Sequence, residues 1–269
     1  MANSSAWLAL IIGNTRLHWA VFAREDLQAT WHTRHLNAHD VATLIHNRFN
    51  SAAWRQITFA PVPDLEPQTV RPIRLWLASV VPSQLALWQG YGGLRLVERD
   101  RLWLKNVYAT LGIDRILSLI GAGKQYGWPA LVVDAGTALT FSAGDQHKFL
   151  GGAILPGLKL QMQSLATGTA ALPNIDRWEM IPPQRWAFDT AEAMRSGVFY
   201  TQLAGIRDYL ADWWQRYPSG QAVLTGGDSP LLAVALKASK SDLLERLLIS
   251  ENLAFWGIQA YRSYMLEQR

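Results

Sequence analysis

The sequence predicts an α/β protein made of two related lobes facing a cleft, and three observations carry that prediction. A strand, a glycine turn and a second strand open the chain, over Leu8–Ile12, Gly13-Asn14-Thr15 and Leu17–Phe22. The same order returns over Leu131–Val133, Asp134-Ala135-Gly136-Thr137 and Leu139–Ser142, as if one unit had been used twice. From Gly112 the apolar spacing changes to the helical period, at Ile116, Leu117, Leu119 and Ile120, before the second hairpin begins.

Each element has its own justification. The apolar stretch Trp7–Ile12 is too short for a membrane span or a signal core, follows no Lys or Arg, and ends in a turn, so it is expected as the first strand. Apolar residues resume at once in Leu17–Phe22, as in a hairpin partner. A helix is expected around Val41–Phe49, a loop at Pro61, Pro63 and Pro67, and a buried strand over Leu75–Val81 stopped by Pro82. Further on, Leu158–Leu165, Glu192–Trp214 and Leu243–Met265 read as helices. Ala222–Leu224 reads as a short strand running into Thr225-Gly226-Gly227-Asp228.

Composition narrows the function. The 269 residues are 49% hydrophobic and 17% charged, an ordinary globular balance with enough apolar material for a large domain or two lobes. The net charge is only +4 and the Lys and Arg residues are scattered, so neither a nucleic-acid partner nor a membrane surface is expected. With no Cys, disulfides and thiolate chemistry are excluded, and a cytoplasmic setting is expected. The chain holds 13 Trp; Trp213, Trp214 and Trp256 sit at helical spacing, where core or interface packing explains them.

Gly121-Ala122-Gly123-Lys124 invites a phosphate-loop reading, which fails. That loop needs Gly where Ser118 stands and Ser or Thr where Gln125 stands. Gly121, Gly123 and Gly127 are also misspaced for a dinucleotide fingerprint and follow no strand, so the segment is expected as plain helix.

The paired hairpin turns are more informative. A glycine at a strand end lets backbone N–H groups approach a phosphate, and a neighbouring hydroxyl adds a donor. Gly13-Asn14-Thr15 and Gly136-Thr137 both have this chemistry, although either alone is also what a tight turn prefers. Asp134 closes an apolar strand, where a carboxylate needs a hydrogen-bond partner or a cation. Asp114, in Gly112-Ile113-Asp114-Arg115, starts a helix and fits either a structural cap or a general base.

Seven ordered blocks carry a resemblance over nearly the whole chain. They are Gly13-Asn14-Thr15, Ser79-Val80-Val81-Pro82, Gly112-Ile113-Asp114-Arg115, Asp134-Ala135-Gly136-Thr137-Ala138, Gly151-Gly152-Ala153-Ile154-Leu155-Pro156-Gly157, Thr169-Ala170-Ala171-Leu172-Pro173 and Thr225-Gly226-Gly227-Asp228. This series resembles the motifs of type III pantothenate kinases, of the acetate and sugar kinase, heat-shock ATPase and actin superfamily. The resemblance implies two ribonuclease-H-like lobes with mixed sheets flanked by helices and an ATP cleft between them. The lobes are expected over 1–111 and 112–269, with the last helix packing back on the first. It further implies a homodimer that phosphorylates pantothenate with ATP and Mg²⁺ in the first step of coenzyme A synthesis, and that needs a monovalent cation such as K⁺ or NH₄⁺.

Carried over residue by residue, the resemblance makes Asp114 the general base and Gly112, Ile113, Arg115, Tyr108 and Thr190 substrate contacts, Thr190 across the dimer interface. Gly13, Asn14, Thr15, Gly136, Thr137, Gly226 and Gly227 correspond to ATP-binding residues, and Asp134 to the monovalent-cation ligand. One position departs: the family pattern begins Asp-x-Gly-Asn-Thr, whereas this chain has Ile11-Ile12-Gly13-Asn14-Thr15. The family carboxylate helps organise Mg²⁺, which isoleucine cannot do. The sequence therefore leaves open a catalytically impaired relative that binds pantothenate or nucleotide in a regulatory role. A kinase or phosphatase of the same fold with another substrate also stays open.

Overall fold

The apolar run Ala6–Ile12 is buried along nearly its whole length, as befits a strand covered on both faces. This computed structural model describes residues 6–59, 61–63, 72–175, 181–238 and 245–268. The chain divides into two compact units. Unit 1 takes Met1–Trp103, Tyr108–Gly121 and Ala254–Arg269, and unit 2 takes Leu104–Val107 and Ala122–Leu253.

Unit 1 is built on a five-stranded mixed sheet. Its strands are β1 (Ala6–Ile12), β2 (Leu17–Ala23), β3 (Asp26–Thr33), β4 (Arg74–Ser79) and β5 (Leu94–Leu96), in the order β3-β2-β1-β4-β5. β1 pairs antiparallel with β2 in the register Ile12↔Leu17 and Ile11↔His18, and parallel with β4 through Ile12↔Ser79. Successive side chains of β1 serve opposite faces. Leu8, Leu10 and Ile12 join Trp19, Trp31, Trp54 and Trp88 under α1 (Ala38–His46) and α2 (Ser51–Ile57). Trp7, Ala9 and Ile11 pack instead with Phe22, Trp76 and Leu117, and with Phe255, Ile258 and Tyr261. Leu117 comes from α4 (Ile113–Tyr126), which follows the short α3 (Pro82–Ala86). Phe255, Ile258 and Tyr261 come from the last helix, α8 (Leu253–Glu267).

The helices of unit 1 start where their caps dictate. Asn37 accepts from the backbone N–H of Asp40, whose side chain faces back to the N–H of Asn37, a reciprocal capping box that starts α1. Asn50 caps α2 in the simpler way, by accepting from Ala53.

Unit 2 repeats the plan. Its sheet contains β6 (Ala130–Ala135), β7 (Ala138–Asp145), β8 (Lys148–Pro156), β9 (Gln221–Thr225) and β10 (Leu248–Ile249), in the order β10-β9-β6-β7-β8. β6 and β7 form the second hairpin, and β9 runs parallel to β6 with Asp134↔Thr225 in register. Leu131, Val133, Phe141 and Leu224 pack against α5 (Leu158–Gly168), α6 (Thr190–Arg216) and α7 (Ser229–Ala238). Trp213 and Trp214 are buried in this core, and their indole N–H groups donate to the carbonyls of Gln221 and Gly220.

Two mixed sheets flanked by helices are the expected fold class. One expected element differs: the helix drawn over Leu243–Met265 is in fact β10 followed by α8 beginning at Leu253. Leu248 and Ile249 pair with Val223 and Leu224, so strand pairing overrides the helical period there. Residues 243 and 244 of that expected helix, and Pro67 of the expected loop, lie outside the described residues.

Candidate active site

In unit 1 the end of β1 turns through Gly13-Asn14-Thr15. The Gly13 N–H donates to the Arg16 carbonyl at 3.0 Å, closing the hairpin, while Asn14 and Thr15 are exposed. The Gly13 carbonyl accepts from His35 Nε2 at 2.8 Å, which pins the turn from the end of β3. Beside it the Val80 N–H donates to the Ile12 carbonyl at 3.0 Å, and the Ser79 hydroxyl closes its own turn by bonding both the N–H and the carbonyl of Val81. The Ser79-Val80-Val81-Pro82 block is therefore the neighbouring strand end, placed by β1–β4 pairing.

Gly112 lies in the same unit, with Val80 Cγ1 3.9 Å from the point where a side chain on it would begin. The Asp114 carboxylate crowds that same point, so glycine at 112 leaves it room. Asp114 is the second residue of α4, and its Oδ1 accepts the Arg115 N–H at 2.9 Å in the first turn. Burial raises the Asp114 pKa above its ordinary value, opposed by the backbone N–H groups of Arg115 and Asp114 and by the Arg115 guanidinium. A carboxylate with raised proton affinity at a helix start has the character of a proton acceptor. Arg115 is only 7% exposed, and its Nη1 donates to the Tyr108 hydroxyl at 3.0 Å. Gly112, Ile113, Asp114, Arg115 and Tyr108 thus form one group, with Tyr108 itself partly exposed.

Arg99 was not singled out by the sequence. It donates through Nη1 to the carbonyls of Ala109 and, at 3.5 Å, Leu111, so it clamps the segment that delivers Gly112. No local spacing connects residue 99 to 109.

In unit 2 the second turn is Asp134-Ala135-Gly136-Thr137, with Thr137 exposed. Two further glycines press on it. A side chain on Gly157 would collide with the carbonyls of Gly136 and Thr137, and the Gly157 N–H donates to the Thr137 carbonyl at 3.0 Å. Gly226 has φ +93, a conformation that favours glycine, and a side chain there would begin 2.5 Å from the Ala135 carbonyl. The Asp228 N–H donates to the Ala135 carbonyl at 2.9 Å, which ties the Gly226-Gly227 turn to the second hairpin at the start of α7. Gly227 has open space around it. The structure therefore groups Asp134, Gly136, Thr137, Gly226 and Gly227. Gly157 ends the Gly151–Gly157 block and caps α5, a position whose role shows only in the fold.

Thr190 is placed by another element. It is the exposed first residue of α6, whose cap is Asp189, accepting from Glu192 at 2.9 Å. Ile11, the departing position, is 6% exposed and packed in the apolar layer with Trp7 and Ala9. Among the described residues no three His, Asp or Glu side chains are grouped to hold a metal ion. No described helix is long and apolar enough to cross a membrane.

Comparison with known structures first shows the fold. The chain matches a conserved Campylobacter jejuni protein whose conjectured role is that of a Baf family transcriptional activator, at TM-score 0.61 and 18% identity over 97% of this chain and 99% of that one. It also matches MreB5 of Spiroplasma citri bound to ADP, at TM-score 0.53 and 10% identity over 98% of each chain. These likenesses concern the fold alone. Sequence comparison then specifies the family: the type III pantothenate kinase model matches residues 7–212. A type III pantothenate kinase of Nostoc sp. is 45% identical over 261 residues, 94% of this chain and 93% of the relative. The chain belongs to the type III pantothenate kinase family.

Proposed function

We propose that this protein transfers the γ-phosphoryl group of ATP to the primary hydroxyl of pantothenate, giving 4′-phosphopantothenate, with Asp114 as the general base. The observation that carries this reading is the Asp114 carboxylate itself. It is held in the first turn of α4, its pKa raised by burial, next to the Arg115–Tyr108 pair. Asp114 accepts the proton of the attacking hydroxyl, and Arg115 beside it offers charge to phosphate or to the pantothenate carboxylate. Gly112, Ile113, Tyr108 and Thr190 complete the substrate set. Family membership supports these assignments, which rest on matching motifs.

For the nucleotide, Gly13, Asn14, Thr15, Gly136, Thr137, Gly226 and Gly227 form the contact set: the Gly13 and Gly136 N–H groups close their own hairpins, so these glycines shape the turns and let phosphate come close, while Asn14, Thr15 and Thr137 bring polar side chains and the Gly226-Gly227 turn serves the adenosine side. Phosphoryl transfer depends mainly on positioning and on neutralising charge. Mg²⁺, when bound with ATP, supplies that neutralisation, and it needs few protein ligands because it retains waters and phosphate oxygens. Asp134 with the carbonyl-lined turn around it is a reasonable donor set for a monovalent cation such as K⁺. Unit 2 also exposes Ile181, Trp186 and Phe188 just before Thr190, an apolar group that supports a homodimer contact there.

The test is a coupled assay of the purified protein with ATP, pantothenate and K⁺ across a Mg²⁺ titration, with the product identified by mass. Formation of 4′-phosphopantothenate that requires K⁺ is expected. ATP binding without any such product at any Mg²⁺ level would overturn the reading.

A further inference from the structure

Beyond β5 the chain makes a single 3₁₀ turn, Arg99–Arg101, which is tied into unit 1 from two sides. The Val97 N–H donates to the Leu77 carbonyl of β4 at 2.8 Å, and the Glu98 N–H donates to the Tyr261 hydroxyl of α8 at 3.3 Å. Arg99 therefore starts from a fixed base. Glu98 and Arg101 pair with each other, while the Arg99 guanidinium reaches the carbonyls of Ala109 and, at 3.5 Å, Leu111. Those carbonyls belong to a turn with little of its own to hold it. Tyr108, Ala109 and Thr110 are exposed, and the turn is closed by the Leu111 N–H donating to the Tyr108 carbonyl at 3.0 Å. Exposed backbone bonds with few buried contacts mark a segment that opens easily. Yet this turn carries Tyr108, whose hydroxyl accepts from Arg115, and leads through Gly112 into the first turn of α4, where Asp114 stands.

We propose that Arg99 is a positioning residue for pantothenate, holding the Tyr108–Gly112 turn in its binding conformation by donating from one guanidinium nitrogen to two of its carbonyls. The proposal rests on the reading of Tyr108 and Gly112–Arg115 as the pantothenate set. Arg99 acts through the turn, by raising the fraction of molecules in which it is ready for substrate. When only part of the population is competent, apparent affinity falls by that fraction, whereas saturating substrate gathers the whole population into the competent form. The effect therefore falls on the KM for pantothenate and spares kcat, unlike loss of the Asp114 base. The first nucleotide turn is closed by its own Gly13–Arg16 bond, so ATP binding does not depend on the clamp.

The test compares the full-length parent with three variants. Arg99→Met keeps the aliphatic stem without a donor, Arg99→Lys keeps a charged donor, and Arg101→Gln removes the neighbouring cation that pairs with Glu98 instead. In Arg99→Met the KM for pantothenate is expected to rise about tenfold, the scale of a hydrogen bond lost from a charged group, with kcat and the KM for ATP within about twofold. Arg99→Lys should recover to within about threefold of the parent, its ammonium reaching one carbonyl at a time, and Arg101→Gln should match the parent. Hydrogen exchange, which needs no turnover, should quicken in Arg99→Met at Leu111, whose N–H closes the turn, and stay unchanged in β1. A pantothenate KM within about twofold of the parent in Arg99→Met overturns the proposal, as does unaltered exchange at Leu111. So does an equal rise in both KM values, which marks a general defect, or an equal loss in Arg101→Gln, which marks diffuse attraction of an anionic substrate. A parent that makes no phosphopantothenate overturns the kinase reading and the role given to Arg99 with it. Failure of the clamp alone is told apart by a parent that turns over and an Arg99→Met variant that matches it.

Discussion

Gly226 approaches Asp134 so closely that a side chain on Gly226 would begin 2.5 Å from the carboxylate Oδ1. Parallel pairing of β6 with β9 brings them together, through the Asp134↔Thr225 register. The turn after β9 is thereby shaped around the carboxylate, and only a residue without Cβ can follow that path.

A pair of neighbouring substitutions separates this effect from a general intolerance of the turn. Gly226→Ala meets both a strained φ of +93 and a backbone collision, and should lose about 2–4 kcal/mol of stability. Gly227→Ala, with open space around it, should stay within about 0.5 kcal/mol of the parent. Urea denaturation midpoints of the two variants provide the comparison.

Asp114→Asn should lower kcat/KM about 10²–10⁴-fold, the range for loss of a general base. The same change should stabilise the fold at neutral pH. Because burial raises the Asp114 pKa in the folded state, the native protein carries a penalty for its charge above the ordinary value of 3.8. The penalty grows as pH rises through the raised pKa and vanishes below 3.8, where both states are protonated. Thermal melts of parent and variant should therefore converge in acid and separate toward neutral pH. Equal activity in the Asn variant would remove Asp114 from the chemistry.

Ile11→Asp tests what the departing position does. Ile11 lies in an apolar layer with Trp7, Ala9 and Trp76, so an unpaired carboxylate there should cost about 2–4 kcal/mol. Turnover at saturating Mg²⁺ should not increase. A variant that gains activity strongly would show that this chain lacks a metal contact it needs.

His18 gives a pH signature of opposite sign to that of Asp114. Its pKa falls from 6.5 to about 4 on folding, so between these values the unfolded state binds the extra proton. Stability should fall as pH drops through this window, by up to about 3 kcal/mol, less for the solvent that still reaches the ring. His18→Gln should show a flatter stability profile between pH 6.5 and 4. Parallel profiles in parent and variant would contradict the burial of a neutral imidazole.

The sequence made both hairpins visible because continuous apolar strands flank glycine turns on each side, as in Leu8–Ile12 and Leu131–Val133. It did not mark β5 or β10, whose three and two residues become strands only by pairing with β4 and β9. Nor did it mark α7, where Leu231, Leu232 and Ala233 form an apolar run too continuous to show a period. At the site, Asp114 was visible as a residue but its environment was not. Tyr108 reaches Arg115, and Arg99 reaches Ala109 and Leu111, only through the folded path of the chain. His18 was within reach of inference, since a tight turn at Gly13 fixes Ile11 opposite it. The apolar residues on either side of it, Leu17 and Trp19, mask it in the sequence.

Unit 1 is assembled from segments widely separated along the chain, with α8 covering Trp7, Ala9 and Phe22 on the second face of its sheet. During synthesis on the ribosome, β1 emerges long before Phe255, Ile258 and Tyr261 exist to cover it. Unit 2, nearly continuous from Ala122 to Leu253, can condense while the first hairpin still waits. A nascent chain therefore displays Trp7 and Phe22 until α8 has been made. That interval is when chaperone capture has most to protect.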